Sequence, residues 1–281
     1  MSDGRIKMER KVAHKLLLFF TALVVAFACG MLTPASAQQQ STLDVVKKRG
    51  TLIAGVKSDY PPFGYIDQNG KLVGFDIEIV KYIANKLGVG VDLRPVTSAN
   101  RIPMLQSSTV DLLAASLTIT RERVEAIDFS VPYIVIGSKF LVKKGSGIKG
   151  YADLAGKTAA YTQGTPWGEK LKQAQPKADA LVFQDKPQAV QAVIQGKAAA
   201  YIDDAAPLFV FAKEHPELEA VGDPSAPAPM GIGMRQNDAK WRNAIDFALI
   251  DMWKDGTYLK LYRQFFGTDP DPSFKIYPWE L

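Results

Sequence analysis

Two hydroxyls and an arginine, Ser116, Thr118 and Arg123, make the run 111–133 (DLLAASLTITRERVEAIDFSVPY) the part of this sequence best suited to holding a small anion. On an extended backbone, residues two apart point to the same side. Both hydroxyls are therefore expected together, close to a guanidinium whose planar fork grips a carboxylate through two parallel charge-assisted hydrogen bonds. The run offers chemistry for gripping an anion and none for breaking one. A strand edge with a surface ion pair from Arg123 to Glu122 or Asp128 would use the same residues, and spacing alone leaves both readings open.

The elements that must position these groups alternate. Residues 51–56 read as a strand. Residues 75–87 read as a helix with its apolar face at Ile77, Ile79, Val80, Ile83 and Ala84, and 91–96 as a strand. A helix over 100–106, capped by Ser98, precedes a strand at 112–115. After Tyr151 the rhythm resumes, with strands at 158–161, 180–183 and 198–202 and helices at 166–173, 187–195 and 205–214. Helices at 243–253 and 258–265, split by Asp255-Gly256, close the pattern. Such alternation predicts an α/β fold. Two further strand-like segments, 138–142 and 230–234, bracket the second run. They suit two crossings between lobes, with a hinge at each. A single α/β domain with a large insertion fits the pattern equally well.

Residues 1–37 read as export signal rather than fold. Arg5, Lys7, Arg10, Lys11 and Lys15 precede an uncharged apolar run at 16–32, and Thr33-Pro34-Ala35-Ser36-Ala37 supplies a small-residue cleavage site. The run is at the short limit for a membrane anchor, and Ala26 and Phe27 make a poor lead-in for lipid attachment at Cys29. Cleavage after Ala37 is the expectation. It removes five Lys/Arg and two Asp/Glu, so the net charge of +5 falls to +2. The basic balance then gives no support for nucleic-acid binding, which needs a clustered basic face. Cys29 is the sole cysteine and leaves with the signal, so the mature chain has no thiolate site or disulfide. No cofactor or metal is expected.

An ordered set of short motifs then carries a resemblance. It comprises Tyr60-Pro61-Pro62-Phe63, residues 70–76 (GKLVGFD), 100–106 (NRIPMLQ), 116–123 (SLTITRER) and 128–133 (DFSVPY). Residues 152–157 (ADLAGK), Gln163-Gly164-Thr165, Asp203-Asp204 and 255–258 (DGTY) complete it. Over nearly its whole length the mature chain resembles the bacterial periplasmic solute-binding proteins of polar-amino-acid ABC transporters, nearest the glutamate/aspartate/glutamine-like branch. The resemblance implies a two-lobed Venus-flytrap fold of α/β class. Lobe 1 would be 38–137 with 235–281, lobe 2 would be 138–234, and the hinge crossings would lie near 138–142 and 230–234. It also implies roles. Arg123 would clamp the ligand α-carboxylate, with Ser116 and Thr118 contacting the α-groups. Thr165 would close from the second lobe, Asp204 would take the ammonium, and Tyr60 would wall the carbon stem. Pro166 departs from relatives by offering no backbone N–H.

Selectivity is expected from Lys57, Arg101 and Lys186, whose convergence would favour an acidic side chain and repel a cationic one, with glutamine and other small polar residues left open as ligands. The plainer alternatives are solvated lysines and an Arg101 stem lying along Leu105 with its head paired to a surface acid. The implied partners are a free amino acid, a membrane permease and an ATPase. The chain lacks a phosphate-binding G-x-x-x-x-G-K-[ST] loop of its own. A monomer in the periplasm is expected, and not an enzyme. The competing function is an exported prephenate or arogenate dehydratase on the same scaffold, with Asp204, Asp185 or Glu169 as general acid. Adjacent strand residues face opposite sides, so Asp203 and Asp204 are not expected to share a proton. A sensory ectodomain is a third class, disfavoured for want of a second apolar span.

Overall fold

The computed structural model describes residues 40–276, and the export segment expected at 1–37 lies outside them. Helix α1 (Thr42–Arg49) leads into β1 (Thr51–Val56). Two short strands, β2 (Asp59–Tyr60) and β3 (Gly64–Ile66), form a small antiparallel sheet with β4 (Leu72–Val73). Then come α2 (Phe75–Leu87), β5 (Gly90–Pro95), α3 (Arg101–Gln106), β6 (Leu112–Ala114), α4 (Arg121–Ala126) and β7 (Asp128–Phe129). Strands β5, β1 and β6 run parallel in the sheet of the first lobe. Two short strands follow, β13 (Gly233–Met234) and then β7 at the edge, and β13 pairs antiparallel with both β6 and β7.

The long strand β8 (Ile134–Lys143) carries the chain into a second five-stranded sheet. Its partners are β9 (Thr158–Thr162), β10 (Asp179–Phe183), β11 (Ala200–Asp204) and β12 (Leu218–Met230), in the order β10–β9–β11–β8–β12. Helices α5 (Trp167–Ala174), α6 (Lys186–Ile194) and α7 (Ala205–Glu214) cover it. Strand β12 runs antiparallel to β8 back to Met230, opposite Ile134, and returns the chain to the first sheet. Helices α8 (Ala239–Lys254) and α9 (Thr257–Phe266) finish that lobe.

Alternation along each strand sets the cores. In the second sheet Leu141, Ala160 and Tyr201 face one apolar cluster, while Phe140, Val142, Ala159, Ala200 and Ile202 face another. Strand β6 does the same in the first lobe, with Leu112 and Ala114 on the main cluster and Leu113 on a smaller one. Residues buried on both faces read as continuous apolar runs, which is why these strands stand out in the sequence.

Local chemistry shifts some boundaries. Ser98 does not cap α3. Thr97 and Asn100 instead bond reciprocally, Thr97 N to Asn100 Oδ1 at 2.8 Å and Asn100 N to Thr97 Oγ1 at 3.1 Å. Helix α8 starts at Ala239 rather than 243, because Asp238 caps it by accepting from Trp241 N at 3.0 Å. Beyond α9, Phe274 packs 6.0 Å from the Trp253 ring and 6.2 Å from the Tyr258 ring. Among the described residues no helix is long and apolar enough to cross a membrane.

Candidate ligand-binding site

The charged residues singled out in the sequence meet between the two sheets, and they are buried. Arg123, in α4, is 8% exposed. Its Nη1 donates to Thr118 O at 2.8 Å and its Nη2 crosses to Gly164 O of the second lobe at 2.9 Å. It makes no surface pair with Glu122 or Asp128, and Asp128 lies 3.6 Å from Arg242 instead. Burial lowers the Arg123 pKa, and Asp204 is the foremost carboxylate opposing that shift. The two ends of the expected clamp therefore act on each other.

Ser116 departs from the extended geometry. It lies in the left-handed region at φ 45°, just past the end of β6. Its N–H donates to Asp76 Oδ2 at 2.8 Å and its hydroxyl to Ala115 O at 2.8 Å. The side-by-side hydroxyl pair expected with Thr118 is thus not formed by a continuous strand. Asp76 also accepts from Tyr133 Oη at 2.8 Å, and burial pushes its carboxyl up to about 7. Thr165 turns its hydroxyl to Thr162 O at 2.5 Å, and Pro166 stands at the N-cap of α5 with no donor to offer.

The lysines are not solvated. Lys57 lies 2.9 Å from Asp59 Oδ1, an ion pair outside hydrogen-bonding geometry, since that oxygen has no hydrogen-bond partner. Burial lowers the Lys57 pKa to about 8 against the pull of Asp59. Lys186 opens α6 and donates to Asp203 Oδ2 at 2.7 Å, with both side chains buried. Its Nζ also sits 4.0 Å from the centre of the Tyr60 ring, a cation–π contact. Each lysine therefore brings its own carboxylate. These two pairs escape sequence reasoning because Asp203 is 17 residues from Lys186; only the i, i+2 spacing of Lys57 and Asp59 hinted at one.

Arg101 differs. It is 3% exposed rather than paired at the surface. Its Nη1 donates to Ala115 O at 2.6 Å, its Nη2 reaches Gly164 O at the limiting 3.5 Å, and its Nε has no partner. Among the described residues no carboxylate oxygen lies within ion-pair distance of Arg101 or Arg123. Burial, then the nearby Arg123, lowers the Arg101 pKa to about 9.

Asp203 and Asp204 end β11, and they do not part to opposite sides. Tyr60 Oη lies 2.8 Å from Asp203 Oδ1 and 2.7 Å from Asp204 Oδ2. Asp204 sits at the N-cap of α7, where the chain leaves the strand pleat, and its N–H donates to Asp203 Oδ1 at 2.9 Å. That bond curls the Asp203 side chain forward. Burial, then the Asp203 charge, pushes the Asp204 carboxyl up to about 7. Asp203 is held below the ordinary range. Burial opposes this, but Lys186 and the Tyr201 and Tyr60 hydroxyls outweigh it. Trp167 Nε1 also donates to Asp203 Oδ1, at 3.0 Å. Phe63 is core, fully buried, with its ring stacked 5.7 Å from that of Tyr60. Of the other acids, Asp185 caps α6 by accepting from Gln188 N, and Glu169 bonds Gln173 on an exposed face.

Two sheet-based lobes closing on guanidinium, carboxylate and hydroxyl groups define a solute-binding protein of the two-lobed α/β class. The chain belongs to the bacterial extracellular solute-binding proteins, family 3, whose model matches residues 52–268. It is similar to the L-cystine-binding protein TcyJ of Escherichia coli (strain K12), at 33% identity over 250 residues, covering 88% of this chain and 94% of the relative. The ABC transporter glutamine-binding protein GlnH of Bacillus subtilis (strain 168) is 31% identical over 271 residues, covering 93% and 99%. The glutamate/aspartate import solute-binding protein of Salmonella typhimurium is 32% identical over 247 residues, covering 83% and 82%. Among solved structures, the ancestral amino acid-binding protein AncCDT-1, a precursor of cyclohexadienyl dehydratase, superposes with a TM-score of 0.75 at 37% identity. That match covers 81% of this chain and all of the other.

Proposed function

We propose that this protein captures a free acidic L-amino acid, glutamate or aspartate, for an ABC importer, by hinge closure of its lobes. Membership of an amino-acid solute-binding family supports the transport role. The acidic preference rests on one observation, the buried Arg101 guanidinium with no carboxylate of its own. Lys57 is neutralised by Asp59 and Lys186 by Asp203, which leaves Arg101, Arg123 and Asp204. An α-amino acid zwitterion would satisfy the last two, its carboxylate on Arg123 and its ammonium on Asp204. The remaining charge calls for a second carboxylate, because an unpaired buried charge is costly. Glutamine would leave Arg101 uncompensated.

Ser116, Thr118 and Thr165 would complete the α-group contacts, and Tyr60 would act through its hydroxyl, since Lys186 covers its ring. The segments at 138–142 and 230–234 would flex as the hinges. The mature protein, released after Ala37, would act as a periplasmic monomer that delivers ligand to a permease and its ATPase. Binding without turnover is the reading the site supports best. Of the three candidate general acids, Asp204 is the acceptor assigned to the ligand ammonium, Asp185 is a helix cap, and Glu169 is bonded on an exposed face.

A thermal-shift screen of the proteinogenic amino acids and cystine tests this. Glutamate or aspartate should give the largest rise in melting temperature. Arg101→Ala should erase more of the glutamate response than of any glutamine response, the charge-assisted contact being worth about 1.5–3 kcal/mol. Equal losses for the two ligands would remove Arg101 from the side-chain role. Appearance of phenylpyruvate on incubation with prephenate would establish turnover instead.

A further inference from the structure

We infer that Gly164 is the contact that sets how far the lobes can close, and that a side chain of any size at this position holds the cleft open. The inference rests on reading the cleft as the ligand site. Gly164 lies in the loop between β9 and α5, at φ 76°. A Cβ built on it would stand 2.4 Å from Ser98 O, 2.6 Å from Ser98 C and 2.7 Å from Ala99 Cα. All three atoms are backbone of the opposite lobe, so no rotamer change relieves the overlap. The same residue presents its carbonyl to the opposing arginines, at 2.9 Å from Arg123 Nη2 and 3.5 Å from Arg101 Nη2. Bare backbone thus meets bare backbone at the rim while the carbonyl docks on the guanidinium expected to hold the ligand carboxylate. Closure and Arg123 are coupled through one peptide unit.

A positive φ makes alanine strained at position 164 whatever surrounds it, so the control must carry equal strain without the contact. Gly156 supplies it. It lies in the same lobe at φ 67°, with nothing within 4 Å of a built Cβ. Gly164→Ala and Gly156→Ala should therefore lose similar amounts of ligand-free thermal stability, and only Gly164→Ala should lose closure.

The chain from residue 38 onward has no cysteine. Glu125→Cys and Glu169→Cys therefore place two unique thiols on opposite sides of the rim groove that both residues line. Cross-linking of ligand-free protein by a short bis-maleimide accumulates from transient closures whether or not an amino acid binds. It should be slowed more than about tenfold by Gly164→Ala and left near the parent rate by Gly156→Ala, as expected when the competent fraction falls. Titration with L-glutamate, L-glutamine, L-cystine and L-arginine is the second arm. Whichever of them the parent binds, Gly164→Ala should bind it at least about tenfold more weakly. Cross-linking of Gly164→Ala at the parent rate overturns the inference. Failure of the parent to bind any of the four overturns the ligand reading instead, and the cross-linking arm still decides the role of Gly164.

Discussion

At the scale of single residues, hydrogen counting determines how the proposed site would handle a ligand ammonium. The Tyr60 hydroxyl has one proton and two carboxylate oxygens at 2.8 and 2.7 Å. Asp203 also receives bonds from Lys186, Tyr201, Trp167 and the Asp204 N–H, so it is the carboxylate built to stay charged. Among the described residues Asp204 receives a side-chain contact from Tyr60 alone, and a carboxyl raised to about 7 supplies the missing proton at that contact. Burial and then Asp203 raise it, against Lys186 and Arg101, which lower it. A ligand ammonium needs the anion, so binding must expel this proton. Affinity should then weaken as pH falls below about 7, approaching tenfold per unit. Calorimetry in buffers of different ionisation enthalpy should register about one proton released. Asp204→Asn should flatten the profile as well as weaken binding. In the ligand-free protein the sign is reversed. A folded pKa of about 7 lies above the unfolded value of about 3.9, so this carboxyl's contribution to stability is complete at acid pH and is lost as pH rises through 7. Affinity independent of pH between 5.5 and 8 would refute the account.

At the scale of elements, the strand–helix alternation was legible because each apolar run reports burial directly. Residues 51–56, 75–87 and 205–214 emerge as β1, α2 and α7 with the ends expected from the sequence. What sequence periodicity did not reveal was set by polar side chains acting at long range. Helix α8 begins four residues early because Asp238 caps it while also binding Ser41 Oγ and Thr42 N, each at 2.6 Å, from a segment about 200 residues away. The residue types of the site were legible in the same way, whereas their pairing was not. Nothing local indicates that Lys186 is neutralised by Asp203, or that Tyr60 reaches acids more than 140 positions on. Two predictions belong here. Asp238→Ala removes a cap and the tie to α1, and should cost about 1–2 kcal/mol in denaturant unfolding. Lys186→Met leaves Asp203 buried without its cation and should cost about 3–5 kcal/mol. Lys186→Met combined with Asp203→Asn should recover much of that loss. A Lys186→Met protein as stable as the parent would mean that Asp203 is held by its hydroxyl and indole donors alone.

For the whole molecule, the question is what replaces the contacts now joining the lobes. Tyr60 with Asp203 and Asp204, Lys186 N with Asp59, and Arg123 with Gly164 all cross between the sheets. Opening breaks them and returns charged groups to water. In the proposed reading, an amino acid entering the open cleft would exchange for part of the set, its carboxylate on Arg123 and its ammonium on Asp204. A ligand shifts such an equilibrium only through its differential affinity for the two forms, and groups contributed by both lobes provide that difference. In the proposed reading Arg123 serves both the ligand contact and the lobe contact. Its replacement should therefore do two things that loss of a simple ligand contact would not. Small-angle scattering of the parent should show the radius of gyration contracting on addition of L-glutamate, towards roughly the 18 Å of a compact chain of this length. Arg123→Ala should start from a larger ligand-free radius, because the bond to Gly164 O is gone, and should not contract. Its thermal unfolding should remain close to that of the parent, since Arg123 lies at the lobe interface and outside either lobe's apolar core. A ligand-free radius identical to the parent's, with binding alone lost, would confine Arg123 to the ligand and leave closure to the contacts around Asp203 and Asp204.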